Sequence, residues 1–220
     1  MKAAALIFDM DGTMIDSMPF HKQSWMEFAR RYSLDMEIPD LMRRTTGRTG
    51  VECMGELFGR EMPLAEALAY VHEKETIYRE LFSPVFREVK GFKAFAAAAR
   101  GKGLKIGVGT AGDRHNIAFA MQHLAMDIAP EVIVGGDEGL PGKPEPAIFL
   151  RAANAMNTPA NATIVFEDAP LGIEAAHRAG MRAVALCTSH TASELAGPHV
   201  MAAVRDYTEL MNTNFLERLQ

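Results

Sequence analysis

The sequence predicts an α/β fold: a doubly wound parallel sheet as the core, with an all-helical cap domain inserted into it. Three observations predict it. Five short, mostly apolar runs each end in a polar or glycine-rich turn. Segments of helical periodicity separate them. Residues 16–88, between the first run and the second, carry helical patterning and no strand.

The first run, Ala3–Phe8, stops at Asp9-Met-Asp11-Gly-Thr13. Continuous apolarity, in place of alternation, marks a strand buried on both faces, as strands of a parallel sheet are. Leu104–Val108 ends at Gly109-Thr-Ala-Gly112, and Val132–Val134 ends at Gly135-Gly136. Ala162–Phe166 ends at Glu167-Asp168, and Ala183–Leu186 ends at Cys187-Thr188. Between these runs, Ile117, Met121 and Leu124 share one helical face, and Ala147, Leu150 and Ala153 mark another. Ile173 and Ala176 mark a third helix, ended by Gly180. The Ala94–Ala99 run is good helix material. Strand–helix alternation of this kind builds a Rossmann-like sheet. Within 16–88, Trp25, Phe28 and Tyr32 fall at i, i+3 and i+7, and Leu64, Leu68, Val71, Glu75 and Tyr78 trace a second, mostly apolar helical face. Pro19 and Pro84 flank the block. A connection this long is too long for a loop. It predicts a helical cap over 16–88, with 1–15 and 89–220 forming the core.

Composition narrows the function. The 220 residues are 48% hydrophobic and 23% charged, with a net charge of −5, which suits a packed globular chain. No cluster of five or more Lys and Arg is present, so a nucleic-acid partner is not expected. The two cysteines, Cys53 and Cys187, make neither a disulfide scaffold nor a zinc site. The longest apolar runs fall far short of the ~18 residues of a membrane span. The acidic turn after Phe8 marks the N-terminal run as a strand, not a signal peptide. A reducing cytoplasm is the expected compartment, and the fifteen methionines read as core filler.

In an open parallel sheet, ligands bind beyond the carboxyl ends of the strands. Those ends present Asp9, Asp11 and Thr13, then Thr110, then Lys143 in the loop after the third strand, then Glu167 and Asp168. Gathered carboxylates repel and raise one another's pKa. A hard divalent cation such as Mg²⁺, with oxygen ligands, relieves that conflict. Lys143 offers a fixed positive charge to an anionic substrate. Thr110 offers a hydroxyl at a helix N-terminus, where backbone N–H groups also favour phosphate. The set fits phosphoryl transfer, whose catalysis is mostly positioning and charge neutralisation, with an Asp as nucleophile. Two other readings use the residues less well. Gly107-Val-Gly-Thr-Ala-Gly112 matches a dinucleotide fingerprint, with Glu131 further on as the acidic residue. It follows the second strand instead of the first, and leaves Asp9, Asp11, Lys143 and Asp168 without a role. A phosphorylation-switched receiver gathers similar groups but has no use for a helical cap.

These motifs, in this order, resemble the haloacid dehalogenase superfamily of phosphotransferases. The matching residues are Asp9-Met-Asp11-Gly-Thr13, Thr110, Lys143 within Gly142-Lys-Pro144, and Glu167-Asp168 followed by Ala169-Pro-Leu-Gly172. The resemblance covers nearly the whole chain. A helical cap after the first strand is similar to the subgroup containing β-phosphoglucomutase and many small-molecule phosphatases. Asp16-Ser-Met-Pro-Phe-His21 and Gly47-Arg48-Thr-Gly50 resemble that subgroup too. The resemblance implies that Asp9 is the nucleophile and a Mg²⁺ ligand. It implies that Asp11 is the general acid and base, with its backbone carbonyl on the metal. Asp168 would be a direct ligand, and Glu167 would reach the metal through water. Thr110, Ala111 and Lys143 would hold the transferring phosphoryl group, and His21 and Arg48 would contact substrate from the cap. An Asp at position 11, in place of an apolar residue, argues against the dehalogenase branch, because a phosphoryl leaving group needs a proton donor. The mutase subgroup carries a Lys before the loop glycine, whereas here Thr46 precedes Gly47 and Arg48 follows it directly. That favours a phosphatase of a small phosphorylated metabolite, with a hexose-phosphate mutase and an inorganic pyrophosphatase as alternatives. His72, His115, His123, His177, His190 and His199 show no metal-ligand spacing and are expected to be structural or on the surface.

Overall fold

The structure, a computed structural model, describes residues 2–45 and 50–219. Thr46, Gly47 and Arg48 lie outside the described residues. In chain order the elements are β1 (Ala5–Phe8), α1 (Met18–Arg31), α2 (Ile38–Thr45), α3 (Gly50–Phe58), α4 (Leu64–Phe82), α5 (Phe92–Gly101), β2 (Lys105–Gly109), α6 (Arg114–Leu124), β3 (Val132–Val134), α7 (Ala147–Ala155), β4 (Thr163–Glu167), α8 (Pro170–Arg178), β5 (Arg182–Leu186), β6 (Val200–Val204) and α9 (Tyr207–Met211). They form two compact units, one of residues 1–16 and 87–220, the other of residues 17–86. Among the described residues no helix is long and apolar enough to cross a membrane.

The first unit is an α/β core. Its six strands run parallel in the order β3-β2-β1-β4-β5-β6. β1 lies between β2 and β4, with Phe8 opposite both Val108 and Phe166. All four residues of β1 are buried, as its unbroken apolarity requires. Alternation along the strands still divides the two faces. On one face Ile7 and Val165 pack with Ile148, Phe149 and Ala152 of α7 and with Ile173 and Ala176 of α8. On the other, Phe8 and Phe166 meet an aromatic cluster from α5, α9 and the C-terminal segment. There Phe95 lies 5.4 Å from Phe166, 5.1 Å from Tyr207 and 6.4 Å from both Phe8 and Phe215.

The sixth strand has no counterpart among the predicted ones. Val200-Met-Ala-Ala-Val204 sits at the sheet edge and is only partly buried, although all five of its residues are apolar. The register also shifts where β5 meets it, between Ala183 and Val184. Glu167, read as part of a turn, is instead the last residue of β4 and pairs with Ala185. The connections flanking residues 17–86 run side by side. Val89 N–H donates to Met14 O at 3.0 Å, Asp16 N–H donates to Arg87 O at 3.1 Å, and Arg87 Nε donates to Asp16 at 2.7 Å.

The second unit consists of α1 to α4, and among its described residues no strand forms. Phe28, Met54, Ala67 and Ile77 are its core, flanked by Trp25, Tyr32, Phe58 and Tyr70. The Trp25, Phe28 and Tyr32 spacing does face inward. The face predicted for α4 does so in part. Tyr78 is buried and Val71 packs on this core, but Leu64 and Leu68 are 63% and 50% exposed, and Ala67, Lys74, Ile77 and Phe82 are buried in addition. The packed stripe is built from Ala67, Val71, Ile77, aromatic rings and the stem of a lysine.

Two tests follow from this packing. Phe95→Ala removes the ring at the centre of the aromatic cluster and is expected to destabilise the core unit by about 3–5 kcal/mol, read as a lower denaturant midpoint. His199 supplies a pH dependence. Its Nε2 donates to Ile173 O at 3.0 Å, and its Nδ1 is buried without a partner. Burial holds its pKa below the ordinary 6.5; the Ile173 carbonyl opposes this and the His177 ring adds to it. The folded chain therefore resists protonation. The His199 contribution is complete above pH 6.5 and is lost as pH falls through 6.5 toward the folded value. Stability curves of wild type and His199→Gln should coincide in slope above pH 6.5 and diverge below it.

Candidate active site

The site is built at the carboxyl ends of β1, β2 and β4, within the core unit. Asp9 follows β1 directly, and its N–H donates to Phe166 O at 2.9 Å, so its position is a consequence of the β1–β4 register. The chain then turns. Met10 O accepts from the N–H groups of Thr13, Met14 and Ile15, and Gly12 N–H donates to Ile15 O at 2.9 Å. Gly12 has φ 73°, a left-handed conformation that glycine adopts without a Cβ penalty. This turn carries Asp11 and Thr13. Thr13 is fully buried, and its hydroxyl finds no protein partner.

Lys143 ties the ends together. Its ammonium donates to Asp9 Oδ1 at 2.5 Å and to Glu167 Oε1 at 2.6 Å, and it stands 5.0 Å from the centre of the Phe149 ring. The other Glu167 oxygen accepts from the N–H groups of Asp168 and Ala169, both at 2.8 Å. Both oxygens of Glu167 are thus held by the protein, at the start of α8. Gly172 makes this possible, since a Cβ there would fall 1.8 Å from Glu167 Oε1.

The electrostatics follow from one cation among several acids. Asp9, Glu167 and Asp168 are 6%, 1% and 3% exposed. Burial raises the Asp9 pKa well above the carboxylate range; Lys143 opposes this, and Glu167 and Asp168 add to the rise. Asp168 is pushed up to about 7 by burial and by Glu167, against a hydrogen bond from Ser189. Burial works to discharge Lys143, but Asp9 and Glu167 outweigh it and hold the ammonium well above the usual lysine range. Among the described residues no three His, Cys, Asp or Glu side chains are drawn together as a metal-holding group. The donor chemistry still fits a hard cation: four carboxylates, Asp9, Asp11, Glu167 and Asp168, with Lys143 as their cationic partner.

Thr110 follows β2, is 1% exposed, and its N–H donates to Val134 O at 3.0 Å. The expectation that it lies at a helix N-terminus is corrected. Asp113 is the N-cap of α6, accepting from the N–H groups of His115 and Asn116, and the Thr110 hydroxyl accepts from Gly112 N–H at 3.0 Å. The glycines of the dinucleotide-like run serve packing. Gly107 faces Met156, and Gly109 faces Phe149. Glu131 lies at the opposite end of the sheet, where it accepts from Ile106 N–H and pairs with Arg100.

His21 belongs to the second unit. Its ring stacks on Tyr78 at 3.8 Å, and its Nδ1 lies 3.0 Å from Lys74 Nζ. Lys74, absent from the predicted set, is 2% exposed, donates to Glu75 at 2.8 Å and stands over Trp25. Its signal was available: it lies three residues after Val71 and four before Tyr78, a lysine on an inward stripe. Three more residues were missed after β5. Thr188 Oγ1 donates to Gly12 O, Ser189 Oγ donates to Asp168 Oδ2, and His190 Nδ1 lies 3.0 Å from Asp168 O. The strand-end rule, extended to the fifth strand, points at them. His190, read as structural or on the surface, makes a structural contact with the Asp168 backbone.

A family model of haloacid dehalogenase-like hydrolases matches residues 3–180. The chain belongs to this family. Among its relatives is a validoxylamine A 7′-phosphate phosphatase of Streptomyces hygroscopicus subsp. limoneus, 31% identical over 210 residues that cover 93% of this chain and 94% of that one. Another is the fructose-1-phosphate phosphatase YqaB of Escherichia coli, 30% identical, with 82% and 95% covered. A crystal structure of a family IA, variant 3 hydrolase from Entamoeba histolytica superposes with a TM-score of 0.87 at 26% identity, covering 98% of this chain and 99% of that one. The haloacid dehalogenase-like chain is thus an enzyme, a phosphohydrolase.

The tightest spatial constraint in this site is at Gly172. Gly172→Ala is expected to displace Glu167 and cost at least about 1–3 kcal/mol. Gly101→Ala, where a Cβ meets nothing within 4 Å, is expected to be neutral or mildly stabilising. Thermal melts of the two variants make the comparison.

Proposed function

We propose that the enzyme is a Mg²⁺-dependent phosphatase of small phosphorylated metabolites, acting through an aspartyl-phosphate on Asp9. The observation that carries this reading is the Lys143 ammonium between Asp9 and Glu167, with Asp168 alongside. The Lys143 ammonium opposes the rise that burial gives the Asp9 pKa, a bound divalent cation would lower it further and free the anion to attack, and the same ammonium attracts a phosphate. An Asp9 oxygen attacks phosphorus, the bond to the leaving oxygen breaks, and Asp11 gives that oxygen its proton. A water then gives a proton to Asp11 and attacks phosphorus, so that inorganic phosphate leaves and Asp9 is restored. Lys143, the Thr110 hydroxyl and the Ala111 backbone N–H hold the phosphoryl oxygens. Asp9, Asp11 and Asp168 would hold Mg²⁺, with Glu167 reaching it through water. The metal would neutralise phosphoryl charge.

The relatives' names support a substrate class. One is named for validoxylamine A 7′-phosphate and another for fructose 1-phosphate, which favours a phosphorylated sugar or a sugar-like polyol as the substrate. From the second unit, His21 and Arg48 are assigned to substrate contact. Hydrolysis is preferred to phosphoryl transfer between sugars because these relatives are phosphatases. Cys53 and Cys187 form no disulfide with each other, as the proposed cytoplasmic location allows.

The test is phosphate release from a panel of sugar phosphates, polyol phosphates, nucleotides and pyrophosphate. Turnover on a sugar or polyol phosphate is expected, abolished by EDTA and restored by Mg²⁺. Asp9→Asn is expected to fold normally and lose about three orders of magnitude or more in kcat. A folded Asn variant with a tenth of wild-type turnover, or turnover indifferent to EDTA, rejects the mechanism.

A further inference from the structure

We infer that Thr188, Ser189 and His190 form a polar strap that positions Asp168 and the Asp11–Thr13 turn, with Ser189 selecting the Asp168 oxygen left for the cation. This rests on the proposed role of Asp168 as a metal ligand. The strap is anchored at both ends. Cys187 N–H, at its start, donates to Val204 O at 2.7 Å. Beyond it, Thr191 donates to Glu194 through its N–H at 2.8 Å and its hydroxyl at 2.7 Å, and the next residue, Leu195, is fully buried. Between these anchors three consecutive residues make three different contacts. Thr188 Oγ1 donates to Gly12 O at 2.5 Å, at the residue with positive φ between Asp11 and Thr13. Ser189 Oγ donates to Asp168 Oδ2. His190 Nδ1 meets the backbone carbonyl of the same aspartate at 3.0 Å.

Asp168 is therefore held twice, by its carbonyl and by one carboxylate oxygen. An aspartate carboxylate turns easily about its last torsion. A hydroxyl on Oδ2 sets that torsion, and among the described residues no hydrogen bond is made to Oδ1. Groups that orient a ligand from behind in this way typically set metal affinity by 10- to 100-fold. Thr188 and Ser189 are themselves exposed, so shortening either leaves core packing unchanged. Ser189 is a positioning residue here: it acts through Asp168.

The experiment measures Mg²⁺ binding to the metal-free protein by titration calorimetry, without substrate, alongside thermal melts. Ser189→Ala is expected to melt like wild type and bind Mg²⁺ about 10- to 100-fold more weakly. Ser189→Thr, which keeps the hydroxyl, is expected to return most of the affinity. Asp168→Asn is expected to remove binding. Wild-type Mg²⁺ affinity in Ser189→Ala, with binding lost in Asp168→Asn, overturns the strap while leaving the metal site in place. Equal weakening in Ser189→Ala and Ser189→Thr also overturns it. Wild-type affinity in Asp168→Asn overturns the metal assignment on which the strap rests.

Discussion

One ammonium group placed between two buried carboxylates is the constraint around which this site is arranged. Lys143 donates to Asp9 and to Glu167, and each partner is almost wholly removed from water. Such a cluster is a poor source of stability. Withdrawing charged groups from water costs several kcal/mol each, and attraction between them repays that only when their geometry is good. Here good geometry comes from elsewhere. Backbone N–H groups of Asp168 and Ala169 take the second Glu167 oxygen, and a glycine at 172 leaves room for the first. The sheet and the start of α8 hold the acids in place, and Lys143 makes their charge tolerable.

The parallel sheet explains how residues so distant in sequence meet. Asp9 follows the strand flanked by β2 and β4, and Glu167 ends the neighbouring strand, in a register that sets Phe8 beside Phe166. Beneath them on one face lies an aromatic cluster, and on the other lie α7 and α8. Both layers are densely packed, so the strand ends move little relative to one another. That rigidity suits chemistry in which positioning and charge neutralisation supply most of the rate. Burial, and after it the neighbouring acids, keeps the Asp9 and Asp168 pKa values high in the absence of a cation, the condition a divalent ion relieves.

The second unit contains a contrasting arrangement. Lys74 is as buried as the acids of the core, yet the carboxylate it donates to, Glu75, is the next residue, and the His21, Trp25 and Tyr78 rings lie around it. A lysine so placed spends its stem on packing and its charge on a short polar network. The same residue type thus serves as a bridge between strands in one unit and as part of a helix face in the other.

What the sequence determined by itself was local in origin. Short, mostly apolar runs marked the parallel strands β1 to β5. Helical spacing marked the segments between them, and the residues at the strand ends and in the loops beyond them named Asp9, Asp11, Thr110, Lys143, Glu167 and Asp168. These are patterns over a few residues, governed by burial and backbone geometry, and a single chain displays them. The tertiary structure decided whatever depended on pairs far apart. Lys143 and Asp9 are separated by 134 positions, and Thr188 and Gly12 by 176. No local pattern encodes which oxygen of Glu167 meets which donor. The edge strand β6 is apolar throughout, and its place in the sheet was decided by pairing with β5, not by its burial, which is partial. The buried face of α4 was read correctly at Val71 and Tyr78 and wrongly at Leu64 and Leu68, because the neighbouring helices, not hydropathy alone, chose which side of α4 would be covered.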